Sequence, residues 1–329
     1  MSERRELIVL DDLNIIAHAT YHVAYNDIAC QSRIGVLFLN GLAATRAGNG
    51  DATVYWADSF AAFGYPSFRL DLPGFGDSSE DPPEDWLDFI NRGDYTSAIS
   101  AKIRELVSRF NLSGVIIMGH CSGAVEAIFA AKASQECKGL VLMDPSFQLS
   151  RTTRPKLRAQ LSIWAMNNRF GGVLSNLFDY LKKIRLLLRG NTLPDNANLA
   201  LLRCWKEVVP TGLPILILKA PGLKTQGVKP RTGQFDYFKY VLKSAGRRSQ
   251  ILVQSVDGAN HSFANRAGRL SVREHAKKWL NNYFPLTRPE ENTGVAPHSW
   301  SGTVKMPNQA QHKFPQQITF AAESENHQI

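Results

Sequence analysis

Cys121 stands at the centre of Gly119-His120-Cys121-Ser122-Gly123, and the apolar run Val115-Ile116-Ile117-Met118 leads into it. A buried strand that stops at Gly-x-Cys-x-Gly and continues into helix formers reads as a strand, a sharp turn and a helix with a reactive side chain at the apex. Backbone strain at such an apex admits only small residues two positions before and two after it. Gly119 and Gly123 meet that demand around Cys121, whereas centring on Ser122 would put His120 and Ala124 at the crowded positions. The residue types therefore point to cysteine as nucleophile, attacking as a thiolate. A cysteine after an apolar strand is also often just a small core residue, and the rest of the chain must discriminate.

The elements that would position Cys121 follow from periodicity. Strand-like runs occur at about Glu6 to Leu10, Leu13 to Val23, Ile34 to Asn40, Ser67 to Asp71, Gly114 to Gly119, Gly139 to Asp144, Pro214 to Ala220 and Ser249 to Val256. From the third run onward they alternate with helical patterns at Val54 to Phe63, Thr96 to Phe110, Ser122 to Ala133 and Ser271 to Tyr283. Alternation of this kind predicts a mostly parallel sheet with helices on both faces, and the two leading strands predict an antiparallel edge. Between Phe147 and Gly212 the pattern is helical throughout, an insertion that would sit over the carboxyl ends of the strands as a lid. After Phe284, Pro, Asn, Gln, Ser and Thr dominate, as in a flexible tail. The expected organisation is a core of residues 1–147 and 213–285, a helical lid at 148–212 and a tail at 286–329.

With 329 residues, 44% hydrophobic, the chain is long enough for one large α/β core plus an insertion. Cys30, Cys121, Cys137 and Cys204 form no Cys-x-x-Cys pair, so neither a zinc site nor a disulfide framework is suggested, and a reducing cytoplasm is expected. The charged start, Met1 to Glu6, is unlike a signal peptide, and no run of about 18 apolar residues suggests a membrane span. The net charge of +9 comes with no nucleic-acid motif. It is concentrated from Gln148 to Arg189, where nine Lys or Arg face the single acid Asp179. Such a face either attracts an anionic substrate or is simply solvated.

The order of motifs has a family counterpart. Gly35 to Gly41, then Asp71-Leu72-Pro73-Gly74-Phe75-Gly76-Asp77-Ser78, then the Gly119 to Gly123 box, then Gly258-Ala259-Asn260-His261-Ser262-Phe263, resembles the α/β-hydrolase fold from Ile34 to Tyr283. More narrowly, Gly-x-Cys-x-Gly-Ala and the His-Ser-Phe ending resemble bacterial hydrolases associated with exosortase and exopolysaccharide systems. The resemblance implies Cys121 as nucleophile, His261 as general base and acid, and an oxyanion hole from the backbone amides of Leu42 and Ser122. It also implies that Asp71, Gly74, Gly76 and Ser78 are architectural. Where relatives carry His-Gly this chain has Asn40-Gly41, whose asparagine is expected to hold the loop by hydrogen bonds.

The third catalytic member departs from the family pattern, because Pro221 to Phe235 contains no acid. Asp236, the first acid after that loop, and Asp144, at the end of the preceding strand, compete for the role. A Cys-His dyad without an acid is the third arrangement. The resemblance implies a hydrolase or acyl-transfer enzyme acting on a small-molecule ester or thioester, and the basic lid segment, where it is more than a solvated face, would attract a phosphorylated carrier of the acyl group such as coenzyme A or an acyl-carrier protein. No metal or organic cofactor is called for. Two alternatives remain open: a polyester-synthase-like acyltransferase, and a binding protein that keeps the fold without the reaction.

Overall fold

The fully buried Gly114–His120 strand is the axis of the fold, and its side chains alternate between two cores. Val115 and Ile117 face one apolar cluster and Ile116 and Met118 the other. Apolar residues on both faces are what a strand needs when helices cover the sheet on each side. The computed structural model describes residues 4–12, 15–24, 33–41, 44–149, 193–194, 196–220, 235–245 and 250–286. The described residues all fall within one compact unit.

Eight strands form one sheet: β1 (Arg5–Asp12), β2 (Ile15–His22), β3 (Ile34–Leu39), β4 (Ser67–Leu70), β5 (Gly114–His120), β6 (Cys137–Met143), β7 (Ile215–Lys219) and β8 (Ile251–Ser255). Their spatial order is β1-β2-β4-β3-β5-β6-β7-β8. β1 pairs with β2 and β2 with β4 antiparallel; every other pairing is parallel. The expected mostly parallel sheet with an antiparallel edge is thus the architecture observed.

The helices are α1 (Ala52–Ala62), α2 (Trp86–Arg92), α3 (Thr96–Arg109), α4 (Ser122–Ala133), α5 (Leu199–Val208), α6 (Tyr237–Ser244) and α7 (Arg266–Tyr283). Trp56 and Phe60 of α1 and Val272, Ala276 and Trp279 of α7 close one face of the sheet. Ile99 and Ile103 of α3, Val125 and Ile128 of α4, and Leu201 and Trp205 of α5 close the other. Each Val, Leu, Ile or Phe side chain among these contributes about 1.5–3 kcal/mol by leaving water.

Two helices differ from the sequence reading for identifiable reasons. α7 starts five residues before the expected Ser271, because Asn265 caps it by accepting the Gly268 amide at 3.1 Å, a signal that apolar periodicity does not carry. The short α2 was not expected; it is bounded by an Asp85 cap on the Asp88 amide and by Gly93 in the left-handed region at φ 80°.

Residues 150–192 and 195, the bulk of the expected lid, lie outside the described residues, as do residues 287–329 of the expected tail. The described ends of the insertion meet: Gln148 bridges Ala197, and the Leu149 amide donates to the Asn196 carbonyl at 2.8 Å. The chain therefore leaves and re-enters the core at one point. The last part of the insertion range, α5, packs into the core, where the Cys204 thiol donates to the Ile128 carbonyl of α4. No helix among the described residues is long and apolar enough to cross a membrane.

Candidate active site

The register of the parallel strands brings their carboxyl ends level. His120 of β5 lies opposite Met143 of β6, and Met143 opposite Leu218 of β7. One residue further on, the Cys121 amide donates to the Met143 carbonyl and the Asp144 amide to the Leu218 carbonyl, both at 2.9 Å. Cys121 and Asp144 are therefore neighbours at the carboxyl ends of two adjacent central strands, because each is the first residue past its strand.

Cys121 is half-buried, with φ 55° and ψ −114°, a conformation that non-glycine residues rarely hold. The flanking glycines make the turn possible. A Cβ at Gly119 would fall onto the Gly123 carbonyl oxygen, and one at Gly123 onto the Leu39 carbonyl oxygen of β3. Gly41, after β3, presses equally close: a Cβ there would lie 3.0 Å from Cys121 Cβ and 3.2 Å from the Ser122 nitrogen. Strand, turn, helix and the loop after β3 thus meet where only glycine fits. Asn40 holds that loop as expected, donating to the Thr45 carbonyl at 2.8 Å and accepting from the Thr53 hydroxyl at 2.7 Å.

His261 lies in the loop after β8. Nδ1 meets Asp144 Oδ2 at 3.0 Å, and the Cys121 side chain lies near enough to the ring to raise its pKa. The Asp144 bond first and the Cys121 bond second push the His261 pKa up to about 10. Asp144 is fixed in turn, because its Oδ1 accepts the Ala220 amide at 3.1 Å. It too has a positive φ, 46°, a region that aspartate tolerates better than most residues.

Of the two candidate acids, His261 meets Asp144. Asp236 instead caps α6, its carboxylate accepting the Lys239 amide at 2.9 Å. The reason is local: Asp236 stands immediately before α6, and an aspartate at that point is drawn to the amides of the first helical turn. Ser122 begins α4, so its backbone nitrogen lies in the first turn of the helix beside Cys121. Leu42, the other expected oxyanion donor, lies outside the described residues. The Asp71 turn is structural as expected: its buried carboxylate pairs with Arg46 and accepts the Asp77 amide at 3.2 Å. No group of three or more His, Cys, Asp or Glu side chains stands close enough to hold a metal among the described residues.

Two residues at this end of the sheet escaped the sequence reading. His120, buried beneath the elbow, binds the His261 carbonyl oxygen through Nε2 at 2.7 Å and stacks edge-on against Phe263. Its pKa is lowered, by burial above all, so the ring is neutral and Nε2 can donate while protonated only there. Phe263 is fully buried with φ 53°, tucking the His261 loop into the second core. The second missed residue is Glu126 of α4, 2% exposed among apolar neighbours. A polar residue at the end of an apolar strand and an acid inside an apolar helix were the available signals.

The model of the α/β-hydrolase fold family matches residues 36–231, more than half of the chain. The chain belongs to that family. Among solved structures it is similar to an esterase of Pyrococcus furiosus, at 12% identity and TM-score 0.54, over 85% of this chain and 91% of that one. It is similar to DcsB, solved in complex with a substrate analogue, at 12% identity and TM-score 0.57, over 85% and 99% of the two chains. A third likeness is to Est1E of Butyrivibrio proteoclasticus, solved with ferulic acid bound, at 13% identity and TM-score 0.51, over 83% and 99%. At these identities the likeness is one of fold. No curated protein sequence matches the chain.

Proposed function

We propose that the chain is a hydrolase or acyl-transfer enzyme that acts on an ester or thioester through a Cys121 acyl-enzyme, with His261 as acid and base and Asp144 as its orienting partner. The observation that carries this reading is His261 bonded to Asp144 through Nδ1 beside Cys121, which is held in a strained backbone conformation. A raised His261 pKa keeps the imidazolium beside the sulfur, holding a proton for the leaving group. The thiolate would attack the carbonyl carbon, and the oxyanion would meet the Ser122 amide and, as the family resemblance implies, that of Leu42. As the bond to the leaving group breaks, His261 hands its proton to the departing oxygen or sulfur. It then takes a proton from water or another acceptor, which attacks the acyl-enzyme and frees Cys121.

Thioesters and activated esters suit this site best. A thioester acyl-enzyme forms from another thioester with little energetic change, whereas an amide needs more help with its leaving group. The esterase names among the similar folds and the narrower resemblance to exopolysaccharide-system hydrolases support putting acylated sugars in the substrate panel as well. The test combines product release with intact mass for wild type and Cys121→Ala across acyl thioesters and activated esters. The expected result is a transient acyl adduct on the wild type alone and a loss of at least roughly 10³-fold in turnover in the variant. No adduct with any substrate, or turnover unchanged in Cys121→Ala, overturns the reading and favours a binding protein that retains the fold.

A further inference from the structure

His261 stands exposed on the loop of residues 256–265, between β8 and α7. Bonds within the loop are local. The Phe263 amide donates to the Asn260 carbonyl at 3.0 Å, the Ser262 hydroxyl to Asn260 Oδ1 at 3.0 Å, and the Asn265 side-chain amide to the Gly258 carbonyl at 2.7 Å. Such bonds fix the shape of the loop and not its distance from the sheet. Phe263 anchors the loop in the core, but two residues beyond His261.

Among the described residues, two hydrogen bonds run from His261 to the strand ends. Asp144, just past β6, meets the ring at Nδ1, and His120, the last residue of β5, meets the main-chain carbonyl through Nε2 at 2.7 Å. The first bond orients the ring, and the second sets the point from which the ring projects. A ring held at Nδ1 alone still swings with its backbone, and a displacement of about 1 Å from productive geometry can cost roughly 10²-fold in rate.

His120 is suited to this task by its surroundings. It is 7% exposed, so little water competes for its bond. Burial lowers its pKa and leaves the ring neutral, with its one proton on the nitrogen that faces the carbonyl. Neutrality matters because the His120 and His261 rings stand 5.3 Å apart, centroid to centroid, where a second cation would oppose the imidazolium. Phe263 meets the His120 ring edge-on at 5.9 Å and holds it in turn. On the main-chain side, a Cβ at Gly41 would stand 2.6 Å from the His120 carbonyl oxygen, so His120 also abuts the loop after β3.

We infer that His120 is a positioning residue for His261: its Nε2–H fixes the main chain of the proton carrier relative to Cys121, the residue that follows His120 in the chain. Because donor and nucleophile are consecutive, a tilt of the elbow carries His261 with it and the separation of the two is kept. The inference rests on the Cys121 acyl-enzyme reading for what His261 does, and on the contact alone for how it is held.

The test compares full-length wild type with His120→Leu, which removes the donor and keeps a side chain of similar size, and with His120→Gln, whose amide nitrogen reaches as far as Nε2. With an acyl thioester of N-acetylcysteamine, His120→Leu is expected to lower kcat by roughly 10²-fold with KM within about twofold of wild type, and His120→Gln to recover most of the loss. By NMR on isotopically labelled histidine, the His261 ring, raised to about 10 in wild type, should titrate lower in His120→Leu and near the wild-type value in His120→Gln. A side chain that merely fills space would not move that titration. Should His120→Leu not fold, His120→Asn, whose amide stops short of the carbonyl, takes its place. Unchanged turnover in the variant without the donor, or a His261 titration unmoved in it, overturns the inference. If wild type forms no acyl adduct, the acyl-enzyme reading fails, but the His261 titrations still decide whether His120 positions that ring.

Discussion

Two histidine–aspartate pairs, at opposite parts of the sheet, look alike in their bond and are opposite in charge. At the antiparallel edge, His22 Nδ1 meets Asp58 Oδ1 at 2.8 Å; at the carboxyl ends, His261 Nδ1 meets Asp144 Oδ2 at 3.0 Å. His22 is 1% exposed and receives the Arg69 guanidinium on Nε2 at 2.7 Å, and burial first and Arg69 second lower its pKa to about 4. The His261 side chain is 57% exposed and has the Cys121 thiol in place of a cation, and its pKa rises to about 10. A carboxylate on one nitrogen therefore does not define a catalytic histidine. What the other nitrogen faces, and how much water reaches the ring, decide whether the pair is a neutral strut or a proton carrier.

The widest separation of the two pairs is expected from removing each carboxylate's charge in turn. Asp144→Asn should lower kcat/KM for a thioester by roughly 10²-fold and move the alkaline limb of its pH profile downward from about 10, since imidazolium loses its first support. Asp58→Asn should leave turnover in place and lower the urea-unfolding free energy by about 1–3 kcal/mol. Equal effects of the two variants on turnover would erase the distinction between the pairs.

The pH dependence of stability should separate them next. The His22 pKa is lower in the folded state than its usual 6.5, so the stability it contributes is present above 6.5 and lost as pH falls through about 4. That loss is on the order of 3 kcal/mol. The His261 pKa is raised, so its contribution is present below 6.5 and lost as pH rises through about 10, and solvent exposure makes it the smaller of the two. Unfolding curves across pH should lose their acid slope in His22→Gln and their alkaline slope in His261→Gln. The smallest effect is expected at the acid that joins neither pair. Asp236→Ala removes the α6 cap and should cost about 1 kcal/mol of stability with turnover unchanged, whereas a large fall in kcat would bring Asp236 back as the catalytic acid.

Much of the site was legible in the chain because its demands are local. Only glycine fits on both sides of a strained apex, so Gly119 and Gly123 point at Cys121 without reference to anything distant. Apolar runs alternating with helical periods likewise imply a parallel sheet covered on both faces, and the loop after the last strand offers His261. The sequence could not choose between Asp144 and Asp236, since both follow a strand end or a loop in the right part of the chain. That choice was made by register: pairing His120 with Met143 and Met143 with Leu218 sets Asp144 beside Cys121, while a helix start claims Asp236. His120 and the His22 pair were hidden for the same reason, their roles depending on partners far along the chain. Residue types and spacing determined which side chains are candidates for the site and which backbone they require; the tertiary structure alone decided what each of them faces, because burial and neighbouring charge are set by contacts between distant segments.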